Sequence, residues 1–265
     1  MRAKLLLAAV AALGLIGAAT APPPAPAMPA AGPGGYLGDM APDTYRILPP
    51  APVAGSTRYQ ADRTTYLETR RLQDTPRWKM AQGDVDQGGL VKSLSCALGV
   101  TLTRDNAPRT AALLAKAGVD VSRATNRPKD IYRRQRPYLI DEGPTCIERS
   151  AALSASPDYP SGHNAWGWTV GLILAELAPD RATEILARAR AFGEGRLVCG
   201  VHNLSAVEAG RLNASIVVAA LHGQAAFRTD LDAARQEVAA ARKAGPAPDP
   251  AACAAEAEIV AKSPY

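Results

Sequence analysis

An all-α protein, built as a single helical-bundle domain, is what this sequence predicts, and three observations predict it. β-Branched runs with period-two alternation are absent. Ala, Leu, Arg and Glu dominate the chain between Pro52 and Lys243. Apolar segments of helical length there are stopped by Pro or Gly. A stretch of this size fits one domain with one core, and no internal repeat is evident.

The elements follow in order. Arg2 and Lys4 precede an apolar run from Leu5 to Ile16 and then small residues. That layout predicts a signal peptide over residues 1–27, cleaved after Ala21 or Ala27; the run is short for a membrane span. Residues 28–51 are dense in Pro, Ala and Gly, which predicts a flexible or extended leader. Within the domain at 52–243, a first helix is expected from Arg58 to Leu72, ending near Thr75-Pro76, and a second from Gly89 to Leu98. Asn106-Ala107-Pro108 is a helix start, and that helix runs to Ala117-Gly118. Asp120 to Gln135 is helical in composition, with Pro128 expected to kink or restart it.

A loop spans Pro137 to Pro160. Asn164 to Leu177 is apolar on most faces and reads as the buried central helix. Asp180 then caps a helix to Phe192, ended by Gly193 and Gly195. Another runs from about Ser205 to Leu221, and a last amphipathic one carries Phe227, Leu231 and Val238. Residues 244–265 form a Pro/Ala-rich tail.

Formal charge is +5, and about +3 once Arg2 and Lys4 are removed with the leader. Such mild basicity, with few and scattered aromatics, excludes a nucleic-acid footprint and suits a local cluster of cations facing an anionic substrate. Four cysteines behind an export signal predict two disulfides, and three pairings are possible. Cys146 and Cys199 each lie beside one of the motifs below, so Cys146–Cys199 with Cys96–Cys253 is the pairing expected. None of the spacings resembles a zinc site.

Three short motifs carry chemistry. Pro160-Ser161-Gly162-His163 stands where a helix begins, and a helix N-terminus presents unpaired N–H donors to an oxyanion. Ser161 and Gly162 would donate hydrogen bonds there, and His163 would protonate a leaving oxygen. Arg196, five residues, then His202 pairs a phosphate-binding guanidinium with an imidazole able to attack phosphorus. Lys129, six residues, then Arg136-Pro137 places two cations on one helix face if the helix continues. Each motif alone is weak; the three together describe a site that binds a tetrahedral oxyanion.

Together they resemble the signature of the type 2 phosphatidic acid phosphatase and vanadium haloperoxidase superfamily, and within it the exported bacterial class A non-specific acid phosphatases. The likeness extends through Gly167-Trp168, Leu174-Ala175-Glu176-Leu177, Val198-Cys199-Gly200 and Ala209-Gly210-Arg211, and covers roughly Pro52 to Val238. It implies the all-α acid phosphatase fold, a periplasmic or secreted location, no metal or other cofactor, and phosphomonoester hydrolysis through a phosphohistidine. His202 would be the nucleophile and His163 the general acid, with Lys129, Arg136, Ser161, Gly162 and Arg196 holding phosphate. A homo-oligomer assembled through helical faces is compatible with it. The small domain and the phosphatase-like flanks disfavour a vanadate peroxidase.

Two departures stand out. The family serine before the arginine is Gly195 here, and the family aspartate, three residues beyond the histidine, is Ala206. That aspartate accepts a hydrogen bond from the far ring nitrogen of the nucleophile. Glu208 lies about 200° around a helix from position 206, and Ser205, Asn203 or a backbone carbonyl would orient the ring only weakly. Two expectations follow: a phosphomonoesterase slowed by the missing carboxylate, or a relative that binds phosphate or a phosphorylated ligand with little or no turnover.

Overall fold

The computed structural model describes residues 34–265. Among these there is no strand; twelve helices and short 3-10 turns make up the regular structure. In chain order they are α1 (Thr44–Ile47), α2 (Thr57–Thr69), α3 (Pro76–Gly83), α4 (Leu90–Ser93), α5 (Ser95–Leu98), α6 (Pro108–Tyr132), α7 (Ala151–Ala155), α8 (Gly162–Leu177), α9 (Ala182–Val198), α10 (Leu204–Leu221), α11 (Ala225–Ala244) and α12 (Pro250–Val260). Local chemistry sets many of the starts. Ser56, Thr75, Ser150 and Ser161 cap α2, α3, α7 and α8 by accepting a backbone N–H of the first turn. Pro76, Pro108 and Pro250 occupy first-turn positions, where the missing N–H has no cost.

The apolar helix α8 is the axis, with α6, α9, α10 and α11 packed around it. Its Ala165, Val170, Ile173 and Leu174 are fully buried. Small residues bring its neighbours close. A Cβ at Gly171 would lie 2.4 Å from Ala189 of α9, and one at Gly210 of α10 would lie 2.6 Å from the carbonyl oxygen of Ser161. Neither backbone could approach α8 this closely with a larger side chain.

Several sequence expectations are altered by this packing. Helix α6 is one uninterrupted helix that passes through both Gly118 and Pro128. Pro128 has no N–H for the carbonyl of Ala124, four residues back, and the Thr44 hydroxyl donates to that carbonyl instead, at 2.7 Å. Helix α9 continues through Gly193 and Gly195 to Val198. These glycines serve helix contacts: a Cβ at Gly193 would overlap the Asn164 amide, 2.0 Å away, and Gly195 rests on Ala81 of α3. The expected helix from Gly89 to Leu98 is two short ones, α4 and α5.

The proposed leader is structured from residue 34 onward. The N–H groups of Tyr36 and Leu37 bond to the buried Asp120 carboxylate, and Leu37, Thr44 and Leu48 are buried. Composition concealed this, because a few anchoring contacts rather than mean hydropathy hold the segment. The expected signal peptide, residues 1–27, lies outside the described residues.

Both disulfides pair as expected. Cys146–Cys199 joins the loop before α7 to the end of α9, and Cys96–Cys253 joins α5 to α12 across 157 residues. The C-terminal tail is thus a docked helix. Its Glu256 bonds Arg188 of α9 at 3.0 Å, and Arg188 makes a two-point pair with Asp84 at 2.6 and 2.9 Å.

The Thr44–Ala124 bond gives a direct test. Thr44→Ala leaves a buried carbonyl without a donor and should lower stability by about 1–3 kcal/mol in urea unfolding. In a Pro128→Ala background the restored N–H supplies that donor, so the same substitution should cost markedly less. Equal costs in both backgrounds would separate Thr44 from the tolerance of Pro128.

Candidate active site

A cavity of about 500 Å³ opens beside the N-terminus of α8, and Lys129, Arg136, Gly162, His163, Arg196 and His202 all line it. Residues up to 73 positions apart thus meet in one place. Ser161 is the exception among the residues singled out in the sequence. It is fully buried beneath the wall, its hydroxyl accepts the Asn164 N–H at 3.3 Å, and its own N–H bonds to the Ala206 carbonyl at 2.9 Å. It caps the helix rather than facing the cavity. The N–H groups of Gly162 and His163 fall in the first turn, ahead of the first intrahelical bond from Ala165 to Ser161. A Cβ at Gly162 would point toward Thr125 and Lys129, 3.5 and 3.9 Å away, so its absence keeps open the space beside the ammonium.

The three cations arrive by different routes. Lys129 lies in the last turn of α6 and donates to the carbonyl of Pro157. Arg136 does not share its helix face, because α6 ends at Tyr132 and Arg133 adopts a left-handed conformation, φ 46°. The extended segment that follows carries Arg136 back to the cavity. Its guanidinium donates to the carbonyls of Ser156 and Val201, at 2.8 and 2.7 Å. Arg196 sits in the last turn of α9, and its buried Nε and Nη1 have no partner among the described residues. Buried donors without partners are rare; here they belong to a cationic group on the cavity wall.

The two histidines are held differently. His163 stacks face to face on Phe192, with ring centroids 4.2 Å apart, and its buried Nε2 has no partner among the described residues. Gly167 makes room for Phe192: a Cβ there would lie 2.5 Å from the ring. His202 follows α9 and is held at both nitrogens. Nδ1 is 2.9 Å from Asp158 Oδ1, and Nε2 is 3.2 Å from Arg136 Nη1. Arginine only donates, so Nε2 accepts and Nδ1 carries the hydrogen, which it donates to Asp158. The nitrogen that faces the cavity cations therefore keeps its lone pair.

Asp158 is fully buried and surrounded by donors. Its Oδ1 also accepts the Asn203 N–H at 3.1 Å, and its Oδ2 accepts the Asn203 amide at 2.9 Å. Behind it, the Arg134 guanidinium lies 3.5 Å from Oδ2 and pairs with Asp62 of α2 at 2.7 Å. Asn203 begins α10 but gives its side chain to Asp158; Asp62 takes over capping by accepting the Ser205 N–H at 2.8 Å.

Charge crowding shapes the titration of the site. Burial, and then Arg136, push the Lys129 ammonium down to about 8. Burial followed by Arg136 lowers Arg196 to about 10. His202 is held well below the usual histidine range by burial first, then by Arg136, Lys129 and Arg196. His163 is likewise lowered, by burial, Arg196 and His202. Burial raises the Asp158 carboxyl, opposed by Arg134 and the two Asn203 donors. Among the described residues that line the cavity none is acidic. The cavity thus presents three cations and two imidazoles held toward the neutral form, a setting that favours a bound anion.

Beyond this cradle, Leu114, Val121, Leu153 and Trp166 give the cavity an apolar wall that an organic group can occupy. Sequence reasoning missed Asp158, Arg134, Asp62 and the orienting Phe192. Asp158 was the nearest to hand, since it stands three residues before Ser161 in Asp158-Tyr159-Pro160-Ser161. Nothing in its spacing from His202, 44 residues on, marks it as that histidine's partner.

Known proteins share this framework. Residues 110–230 match the family model described as the PAP2 superfamily. The chain is 39% identical over 217 residues to an acid phosphatase of Zymomonas mobilis, covering 81% of this chain and 82% of that one. It is 36% identical over 205 residues to a non-specific acid phosphatase of Providencia stuartii, covering 76% and 83%. A non-specific acid phosphatase of Salmonella typhimurium is 33% identical over 198 residues, covering 72% and 78%. With likeness of this depth over most of its length, and with the motif residues gathered at one cavity, the chain belongs to the bacterial non-specific acid phosphatases of the PAP2 superfamily.

Proposed function

We propose that this chain is an exported phosphomonoesterase that acts through a phosphohistidine on His202. The observation that carries the reading is the state of His202: its Nδ1–H is committed to Asp158, and its Nε2 lone pair is turned toward three cations. Lys129, Arg136, Arg196 and the first-turn N–H groups at Gly162 and His163 hold the phosphoryl oxygens. Nε2 attacks phosphorus, the bond to the ester oxygen breaks, and that oxygen leaves with a proton from His163. A water then attacks phosphorus and gives its proton to His163, the N–P bond breaks, and inorganic phosphate departs. The imidazolium formed midway is stabilised by Asp158.

The alternative is a relative that binds phosphate without turnover, read from the alanine at 206; a carboxylate 2.9 Å from Nδ1 supports the hydrolytic reading over it. Export accords with the N-terminal layout and with two disulfides.

The titration of the site favours acidic conditions. Both imidazoles are neutral in the free enzyme, so the proton needed by the leaving group arrives with the substrate monoanion and passes to His163. A bound phosphate raises the affinity of His163 for that proton. kcat/KM should therefore fall as pH rises through about 6, where a phosphomonoester loses its second proton. It should fall again above about 8, where Lys129, charged below that pH, becomes neutral. Lys129→Arg should remove the second fall and keep the first; persistence of both would exclude Lys129 as its source.

Acid-quenched turnover of an aryl phosphate should yield a phosphorylated peptide containing His202. His202→Ala should lose that adduct and at least about 10³-fold in kcat; substantial turnover in this variant would overturn the mechanism. His163→Asn should cost roughly 10²–10⁴-fold with alkyl phosphates. The loss should be much smaller with nitrophenyl phosphate, whose leaving group departs without a proton.

A further inference from the structure

We propose that Asp158 is the positioning residue of His202, performing from the loop before α8 the task that the family pattern gives to a carboxylate at position 206. The inference rests on the reading of His202 as nucleophile and deepens it. Four features support it. The carboxylate lies 2.9 Å from Nδ1, the ring nitrogen other than the one that meets Arg136. Every group within reach of its oxygens is a donor: His202 Nδ1–H, both N–H groups of Asn203, and Arg134. That arrangement suits an ionised acceptor rather than a protonated acid.

The loop that carries it is fixed as well. The Asp158 N–H bonds to the Arg134 carbonyl at 2.8 Å, so the peptide beside the carboxylate is tied to the residue whose guanidinium faces it. Finally, the two positions are sterically linked. Ala206 is fully buried in a cluster with Tyr159 and Ala209, and its carbonyl receives the Ser161 N–H. The methyl group at 206 lets the Asp158–Ser161 segment lie directly on α10. A carboxylate at 206 would enter that contact, next to Tyr159, the neighbour of Asp158 in the chain. Loss of the carboxylate from the helix and its presence on the loop are two halves of one exchange.

The exchange reverses one expectation. Were the site short of a carboxylate, Ala206→Asp would raise activity. With Asp158 in place it should give no gain in kcat and a lower Tm, because the new carboxylate is buried without a partner.

The decisive set is Asp158→Asn, Asp158→Ala, Ala206→Asp and the double variant Asp158→Ala/Ala206→Asp, assayed with nitrophenyl phosphate beside His202→Ala. Asp158→Asn preserves shape and should lower kcat by at least about 10²-fold, toward the roughly 10⁴-fold loss of the comparable change in serine triads. Inhibition by inorganic phosphate should stay within about threefold, since the oxyanion cradle is untouched. The double variant should recover at least about tenfold in kcat over Asp158→Ala. Nitrogen-15 spectra should show the Nδ1–H tautomer of His202 in the parent protein and its loss in Asp158→Ala.

A lowered Tm with unchanged kcat in Asp158→Asn would mark a structural residue and overturn the inference, as would a several-fold gain from Ala206→Asp alone. An inactive His202→Ala with a fully active Asp158→Asn removes the inference and leaves the functional reading intact. An active His202→Ala removes both.

Discussion

Positive charge held out of water is the constraint around which this molecule is organised. Lys129, Arg136 and Arg196 are each largely buried and converge on one cavity, and no carboxylate among the described residues lines it. Burying an ion without a partner costs several kcal/mol, and backbone carbonyls of Ser156, Pro157 and Val201 offset only part of that. What remains acts in two ways. It keeps both imidazoles neutral, and it gives any tetrahedral oxyanion a place where its charge is wanted. Binding of such an anion stabilises the folded state by the same free energy.

Negative charge has been placed behind this front rather than in it. Asp62, Arg134 and Asp158 form a buried row that ends on His202 Nδ1. The row meets the histidine at Nδ1, so it fixes the tautomer and leaves Nε2 on the side of Arg136. It also ties α2 to the start of α10 through Ser205, so a helix far away in sequence helps to hold the loop of His202. Geometry on the opposite side comes from close packing. Glycine at 167 admits the Phe192 ring, and the ring sets the plane of His163. The same economy of side chains lets α9 and α10 lie against α8, whose first turn opens on the cavity.

Much of this was legible in the residues themselves. The all-α character, the central apolar helix and most helix starts follow from composition and capping, which are local properties of the chain. Lys129, Arg136, Gly162, His163, Arg196 and His202 stand out because three motifs, each weak alone, occur together in one chain. Cys146 and Cys199 are marked as a pair by their nearness to the motifs, which leaves Cys96 to Cys253. The helix signals lie within a few residues of the features they describe; the site emerges from three such local signals taken together.

What only the tertiary structure decided are the contacts that cross the chain. Pro128 is accommodated because Thr44, 84 residues earlier, supplies the missing donor. Gly193 and Gly195 remain helical because α8 and α3 press against them. Ser161 caps its helix instead of facing the cavity because α10 covers it. Above all, the carboxylate beside His202 Nδ1 comes from Asp158, 44 residues earlier in the chain and 2.9 Å away in space. Residue type and spacing determine which chemistry a chain can perform. The partner of a given atom is set by distance in space, and that distance exists only once the backbone has closed on itself.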